Sequence, residues 1–415
     1  MFLKSSDYTY ITSLEIENVK CFKEKQTLHF TDADGRVYQW NILLGDNGTG
    51  KTTLLRSIAG INTKDWFEIY SQNLNFNETS SLKVGYLHLN QTFLLTAKKE
   101  NNILKISSPL LVLHPYHSNN EVKKSDLIEL PDNIIAYGAN RIGEKENNIS
   151  PNETSTLIDD DAKLINVEGY FINLDYLRSK DGSKKSEREY NIVKEILKKV
   201  LPDVSDIRII TKGRRPFVEF QMEYGWIKYQ DLSLGYQTVT AWMVDLAVRM
   251  FERFSRHKDP LAQPAVVMVD EIDLHMHPRW QQKIMRHLSE QFPKVQFIVT
   301  AHSPLIVQSA TNANVIVLKR QGNQVVVDND PISVKSWRID QILASDMFGI
   351  SMRDEETTQK LNRRRVLLQK EKLSANEKKE LANLEKEASN LPTSESPEMI
   401  KAMDIIKKVA NNLTK

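Results

Sequence analysis

The sequence predicts an α/β fold organised around a phosphate-binding loop, and three stretches predict it. Gly45-Asp46-Asn47-Gly48-Thr49-Gly50-Lys51-Thr52 fits the pattern G-x-x-x-x-G-K-[ST] at every fixed position. Residues 40–44 ahead of it read as a buried strand and residues 53–59 behind it as a helix, which is the strand–loop–helix context this P-loop motif requires. Two later apolar runs, 266–269 and 297–300, read as further buried strands, one ending in Asp270-Glu271 and the other in Ala301-His302.

The remaining elements follow from local pattern. Leu14, Ile16, Val19 and Phe22, then Leu28 and Phe30, alternate with polar residues and predict a β-hairpin, the start of an antiparallel N-terminal subdomain. Residues 82–95 and 103–113 read as strands separated by polar turns, and 134–141 as a strand running into a glycine turn. Asn, Ser, Glu and Asp dominate residues 144–162, with Pro151 among them, the composition of a mobile loop. Ile192, Val193, Ile196, Leu197, Val200 and Leu201 share one face of a helix over 187–201. Strands are expected within 218–229, a long amphipathic helix over 236–254, and core strands at 265–269, 295–300 and 314–318. From 355 to 391 the chain is charged and helical. Leu361, Leu368, Leu381, Leu384, Ala388 and Leu391 form thin apolar stripes, and Ser374-x-x-Glu377 is a capping box that starts the second helix of a hairpin. Pro392 and Pro397 bracket a break before a last short helix. The expected organisation is a head over 1–350, with a helical subdomain inserted at about 144–230, and a helical tail over 351–415.

Composition narrows the class. A chain of 415 residues with 40% hydrophobic and 27% charged residues has enough apolar surface for one large core and an insertion. No apolar run approaches the ~20 residues of a membrane span, and the first residues lack the apolar core of a signal peptide. The single cysteine, Cys21, excludes an internal disulfide framework and a cysteine-built zinc site. A cytoplasmic protein with no membrane contact is expected. The net charge of +2 restricts any nucleic-acid surface to a local patch.

The chemistry of the motifs points to a nucleoside triphosphate. Gly45, Gly48 and Gly50 let the backbone curl so that N–H groups around Asn47 and Thr53 face phosphate oxygens, and the following helix adds partial positive charge. Lys51 reaches the β- and γ-phosphates. The Thr52 hydroxyl and Asp270 suit Mg2+, and Glu271 suits a general base that aligns a water. A neutral His302 could hydrogen-bond the γ-phosphate. Leu232-Ser233-Leu234-Gly235-Tyr236-Gln237 precedes the long helix, so Ser233, Gly235 and Gln237 form a second anion site at a helix N-terminus.

The set, in this order, resembles the ABC-type ATPase heads, and within them the RecF/SMC-like branch. Leu232-Ser233-x-Gly235 resembles the ABC signature. Asp270 to Pro278 resembles the extended Walker B and D-loop, His302 the switch histidine, and Leu14 to Phe22 the first hairpin of that branch. The resemblance covers about residues 10–320. It implies ATP and Mg2+ as cofactors and two copies closing on ATP, with Ser233 and Gly235 of one copy facing the P-loop of the other. Leu234 stands where transporters commonly have a small residue, which counts against a transporter subunit. Gln91 and Asn140-Arg141 are both candidates for the Q-loop. No stretch sustains the heptads of SMC arms, and the chain past Leu318 lacks the acid clusters of the Toprim nuclease carried by OLD-type relatives.

The compact head, the tail and the segment from Arg338 to Ile350 resemble the Septu-type and retron-associated defence ATPases, which implies a separate HNH-type nuclease as partner. A RecF-like repair ATPase acting directly on DNA is the alternative, and a transporter ATPase subunit a further one. Asp270, Glu271, Asp273, His275 and His277 could also form a metal cluster, although the P-loop already accounts for Asp270 and Glu271. Asp328-Asn329-Asp330 reads as a turn after a strand over 324–327. Lys184, Lys185, Arg188, Lys194, Lys198 and Lys199, with Arg208, Lys212, Arg214 and Arg215, are either a solvated face or a track for a phosphate backbone.

Overall fold

A computed structural model describes residues 2–3, 10–61, 74, 77, 79–88, 91–100, 103–107, 134–144, 156–201, 203–211, 215–310, 312–331, 337–345, 347–348, 354–368, 370 and 373–389. Strands β1 (Phe2–Leu3), β2 (Tyr10–Glu17), β3 (Gln26–His29), β4 (Val37–Tyr38) and β5 (Trp40–Gly45) lead into helix α1 (Lys51–Ile61). Strands β6 (Ser81–His88), β7 (Gln91–Glu100), β8 (Ile103–Ser107) and β9 (Ile134–Tyr137) follow. The middle of the chain holds α2 (Val167–Asp181), α3 (Lys184–Val200), β10 (Asp206–Ile210), β11 (Phe217–Met222), β12 (Gly225–Lys228) and α4 (Leu234–Arg253). Then come β13 (Ala265–Val269), α5 (Pro278–Gln281), α6 (Ile284–Gln291), β14 (Val295–Ala301), α7 (Pro304–Ser309), β15 (Asn314–Gln321) and β16 (Gln324–Asp328).

The central sheet has the order β16-β15-β5-β14-β13-β9. All neighbours are parallel except the β15–β16 hairpin. β13 and β14 are buried at every residue, as strands covered on both faces must be. A second, antiparallel sheet has the order β3-β2-β6-β7-β8. Ile11, Leu14 and Ile16 of that sheet share one core with Leu54, Leu55 and Ile58 of α1 and with Met268, Ile298 and Ile316 of the central sheet. The P-loop helix is therefore fixed by apolar contact with both sheets. Its amino end carries the nucleotide motif, and little freedom is left in where that end points.

The insertion contains a helix that the hydrophobic pattern did not announce. In α2, Val167, Tyr170, Phe171 and Leu174 are buried on one face, while Ile172 and the exposed Tyr176 fall off that face and blur the apolar stripe. Its caps are plain in retrospect: Asn166 accepts from Gly169 N, and Gly182 adopts a left-handed φ of 60°. α3 buries Val193, Ile196, Leu197 and Val200 of the predicted face, together with Tyr190, while Ile192 is only partly buried. The span 82–95 is two strands, β6 and the start of β7, rather than one. Residues 108–113, expected as strand, lie outside the described residues.

The expected mobile loop needs correcting where it is described. Thr156 and Leu157 are buried, Leu157 within the main core, and the Thr156 hydroxyl accepts from Gly138 N at 3.0 Å. Residues 145–155 lie outside the description.

The basic stretch is also less free than its composition suggests. Lys194 pairs with Asp206, Lys198 with Glu195, Lys185 with Glu189, and Arg208 with Glu219 while stacking on Trp226. Much of that positive charge already has a local acidic partner.

The chain divides into two units, Met1–Ser336 and Trp337–Lys415, ahead of the expected 350/351 boundary. Within the second, α8 (Ile339–Ala344), α9 (Glu355–Leu368) and α10 (Ala375–Ser389) are helical. Arg363 pairs with Glu380 and Lys360 with Glu356 and Glu387. The capping box forms: Glu377 Oε2 accepts from Ser374 N at 3.0 Å, and Ser374 Oγ accepts from Glu377 N at 3.3 Å. Leu367 is the buried leucine of α9, and Leu368, expected in the apolar stripe, is exposed. The final short helix and Leu391 lie outside the described residues.

Candidate nucleotide site

The P-loop runs from the end of β5 into α1, between the tips of β15 and β14. Gly50 has a φ of 87°, and a Cβ there would lie 2.7 Å from both Cys21 Sγ and the Phe22 ring. Only glycine lets the loop pass so close under the 18–22 turn. Lys51 Nζ folds back on the carbonyls of Gly45 and Asp46 at 2.7 and 3.0 Å. Burial pulls this ammonium below its ordinary value, and Asp270, Glu271, Asp46 and Asp273 pull it back.

The acids stand at the tip of β13. Asp270 Oδ2 accepts from the Thr52 hydroxyl at 2.6 Å, and Oδ1 from the Thr300 hydroxyl at 2.6 Å. Thr300 Oγ1 also accepts from Glu271 N at 2.6 Å. β14 thus holds both acids in register from the neighbouring position in the sheet. Glu271 has a φ of 50°, an uncommon conformation for a residue with a side chain. His302, at the exposed end of β14, donates its N–H to Asp273 Oδ2 at 3.0 Å.

These residues converge on one open cleft of about 340 Å3. Asn47, Gly48, Gly50, Lys51, Thr52, Thr53, Asp270, Glu271 and His302 line it, and so do Lys20 and Cys21. Lys51 is therefore not the sole lysine at the cleft. Lys20 has a φ of 50° and sits in a turn whose flanking Val19 and Phe22 are both fully buried. Burial and the nearby Arg56 hold its ammonium below the ordinary lysine value. Nothing in the sequence marks Lys20, because its approach to the P-loop depends on the packing of two apolar neighbours.

The residues fit Mg2+. Thr52 and Asp270 place two hard oxygen donors together beside a phosphate cradle, leaving the other positions to phosphate and water, as this ion prefers. Among the described residues no group of three His, Cys, Asp or Glu side chains could hold a metal, so the alternative cluster through His275 and His277 does not assemble. His277 instead caps α5, its Nδ1 accepting from Arg279 N.

The signature residues lie elsewhere and do not line the cleft. Ser233 is the N-cap of α4 and makes no side-chain cap bond, and both it and Leu234 are exposed. A Cβ on Gly235 would lie 2.4 Å from the His275 carbonyl oxygen, so the signature turn rests against the D-loop of its own chain. Gln237 Nε2 donates to the carbonyls of Gln230 and Leu232, bracing that turn. Of the two Q-loop candidates, Arg141 is buried and donates to the carbonyls of Gly138, Asp270 and Glu271. Burial lowers its pKa to about 10, against the pull of Asp270, Glu271 and Asp273. Gln91 pairs with His88 at the β6–β7 turn.

The deciding feature is the strand order. β14 stands between the P-loop strand β5 and the acid-bearing strand β13, the antiparallel sheet packs over α1, and a signature turn opens α4. The chain has the fold of an ABC-type P-loop ATPase head.

The family model described as "AAA domain, putative AbiEii toxin, Type IV TA system" matches residues 144–308 of this chain. The chain is 27% identical over 353 residues to a protein named "Septu protein PtuA" of Bacillus mycoides, covering 82% of this chain and 45% of that one. It is 24% identical over 373 residues to the "Retron Vc95 probable ATPase" of Vibrio cholerae, covering 72% and 71%. The chain thus spans less than half the length of the Bacillus mycoides relative. The Smc head domain with a coiled coil and joint from Pyrococcus yayanosii aligns over 77% of this chain and 97% of that one, at 11% identity and a TM-score of 0.47.

Proposed function

We propose that this chain binds ATP with Mg2+ in the P-loop cleft and hydrolyses it, and that two copies close around the nucleotide. One observation carries the reading. Phosphate cradle, metal ligands, candidate base and switch histidine share one cleft, while the signature turn is exposed and outside it. A signature turn from a second copy would complete the cage. In that arrangement Lys51 and the loop N–H groups bind the β- and γ-phosphates. Thr52 and Asp270 hold Mg2+, which neutralises charge developing on the phosphoryl oxygens. Glu271 orients the attacking water and takes its proton, and His302 contacts the γ-phosphate. The test is Mg2+-dependent phosphate release by the purified chain; no release above buffer would end the hydrolytic reading.

The biological setting proposed is bacterial defence against phage, with control of a separate HNH-type nuclease. The names of the Septu and retron relatives support it. A RecF-like ATPase acting on DNA is the second reading, and it draws less support from the basic stretch now that much of it is paired internally. Among the described residues no helix is long and apolar enough to cross a membrane, in keeping with a cytoplasmic site of action.

The tail is proposed to dock the nuclease or another copy. α9 and α10 are joined largely by surface ion pairs, which solvent screens and which contribute little to stability. Deleting 355–415 is expected to leave ATP binding largely intact, to reduce capture of the nuclease or higher-order assembly, and to abolish protection in cells. Full capture and protection by the truncated chain would reduce the tail to a solvated appendage.

A further inference from the structure

Arg141 is a charged side chain in the core that makes no contact with the nucleotide cleft. Its side chain is 1% exposed. It stands just past β9, which is paired in register with the acid-bearing strand, Tyr137 opposite Val269. The guanidinium meets main-chain carbonyls: Gly138 O at 2.9 Å, Asp270 O, and Glu271 O at 2.8 Å. Its Nε has no hydrogen-bond partner.

The choice of carbonyls is informative. Those of Asp270 and Glu271 are consecutive, so the two dihedral angles between them are φ and ψ of Glu271. A rigid planar fork bonded to both carbonyls limits those angles. Glu271 is also the residue whose φ of 50° is uncommon for a side-chain-bearing residue and costs energy unless neighbours enforce it. Thr300 secures the other side of the same segment, its hydroxyl accepting from Glu271 N at 2.6 Å and its carbonyl from Ile272 N at 2.9 Å. Burying an unpaired guanidinium is a poor route to stability, since the desolvation cost is several kcal/mol per ion. It does suit a site where one side chain must be aimed.

We propose that Arg141 is a positioning residue for Glu271: its guanidinium, bridging the Asp270 and Glu271 carbonyls, holds the left-handed backbone that aims the Glu271 carboxylate into the cleft. The assignment rests on the reading of Glu271 as the base. Arg141 lies where the chain leaves the central sheet for the insertion, with Gly143 bridging to Leu164. The same contact therefore ties the aim of Glu271 to the root of the inserted subdomain.

The test compares the full-length wild type with Arg141→Lys, Arg141→Gln, Glu271→Gln and the double variant Arg141→Lys/Glu271→Gln. Lysine keeps the charge but has no planar fork to span two carbonyls. Turnover of Arg141→Lys is expected to fall about 10- to 100-fold, the scale of a small misplacement of a catalytic group, with ATP affinity unchanged and the variant folded at the assay temperature. The double variant should hydrolyse no more slowly than Glu271→Gln alone, because a residue that acts through Glu271 has nothing left to position. Wild-type turnover in a folded Arg141→Lys, or losses that multiply in the double variant, would overturn the proposal. Failure of both Arg141→Lys and Arg141→Gln to fold would overturn it too, making Arg141 a folding residue. A wild type without ATP hydrolysis, or one indifferent to Glu271→Gln, would instead overturn the reading of the base itself.

Discussion

Glu271→Gln is expected to lower ATP hydrolysis by about 100-fold or more, the scale of losing a positioned general base, while ATP still binds. The geometry explains why the effect should be confined to turnover. Glutamine keeps the shape of the side chain, and the segment's anchors are main-chain groups: Glu271 N donates to Thr300 Oγ1, and Glu271 O accepts from Arg141. The P-loop, Thr52 and Asp270 remain as they are, so the phosphates keep their cradle. Nucleotide binding by equilibrium dialysis and phosphate release on the same preparation separate the two effects. Equal turnover in variant and wild type would remove Glu271 from the mechanism.

Lys51→Ala acts at the other end of the same cleft and should abolish hydrolysis together with most of the affinity. Lys51 Nζ lies against the carbonyls of Gly45 and Asp46, inside the loop proposed to hold the phosphates. Charge-assisted contacts of this kind are worth about 1.5–3 kcal/mol each, so ATP binding should weaken by about 10- to 100-fold. Lys20 also faces the cleft, and it can leave residual binding. It approaches from the 18–22 turn and not from within the loop, so it does not replace the grip on the β- and γ-phosphates. Wild-type hydrolysis by Lys51→Ala would show the P-loop to be misassigned.

The nucleotide motif was legible because its residues are contiguous and its context is local. Gly45 to Thr52 needs one strand and one helix, and both are readable from apolar runs. Asp270-Glu271 and His302 were legible for the same reason, each ending a strand buried along its length. Lys20, Thr300 and Arg141 could not be read in these roles. Thr300 sits inside an apolar run and looks like an ordinary β-branched strand residue, and only the adjacency of β13 and β14 gives its hydroxyl two partners. Arg141 follows a glycine turn and, with Asn140, stood as a Q-loop candidate, yet parallel pairing of β9 with β13 carries it behind the acids. Helix α2 was missed because Ile172 and Tyr176 lie off its buried face and blur the apolar stripe, leaving caps as its clearest signal. In the tail, the capping box was readable from four residues, whereas the choice between Leu367 and Leu368 for burial depends on helix phase against α10.

The central claim is that the site is shared between two copies, and mixing two inactive variants tests it most directly. Lys51→Ala spoils the P-loop half. Ser233→Arg spoils the signature half at an exposed position that makes no cap bond, so the fold should tolerate it. Each variant alone should be inactive, since every shared site then contains one spoiled half. In an equimolar mixture with free exchange, about half the dimers are mixed, and each mixed dimer has one intact site of two. Phosphate release should therefore return to roughly a quarter of the wild-type rate. A mixture as inactive as its components, with exchange of copies verified by labelled chains, would contradict the shared site.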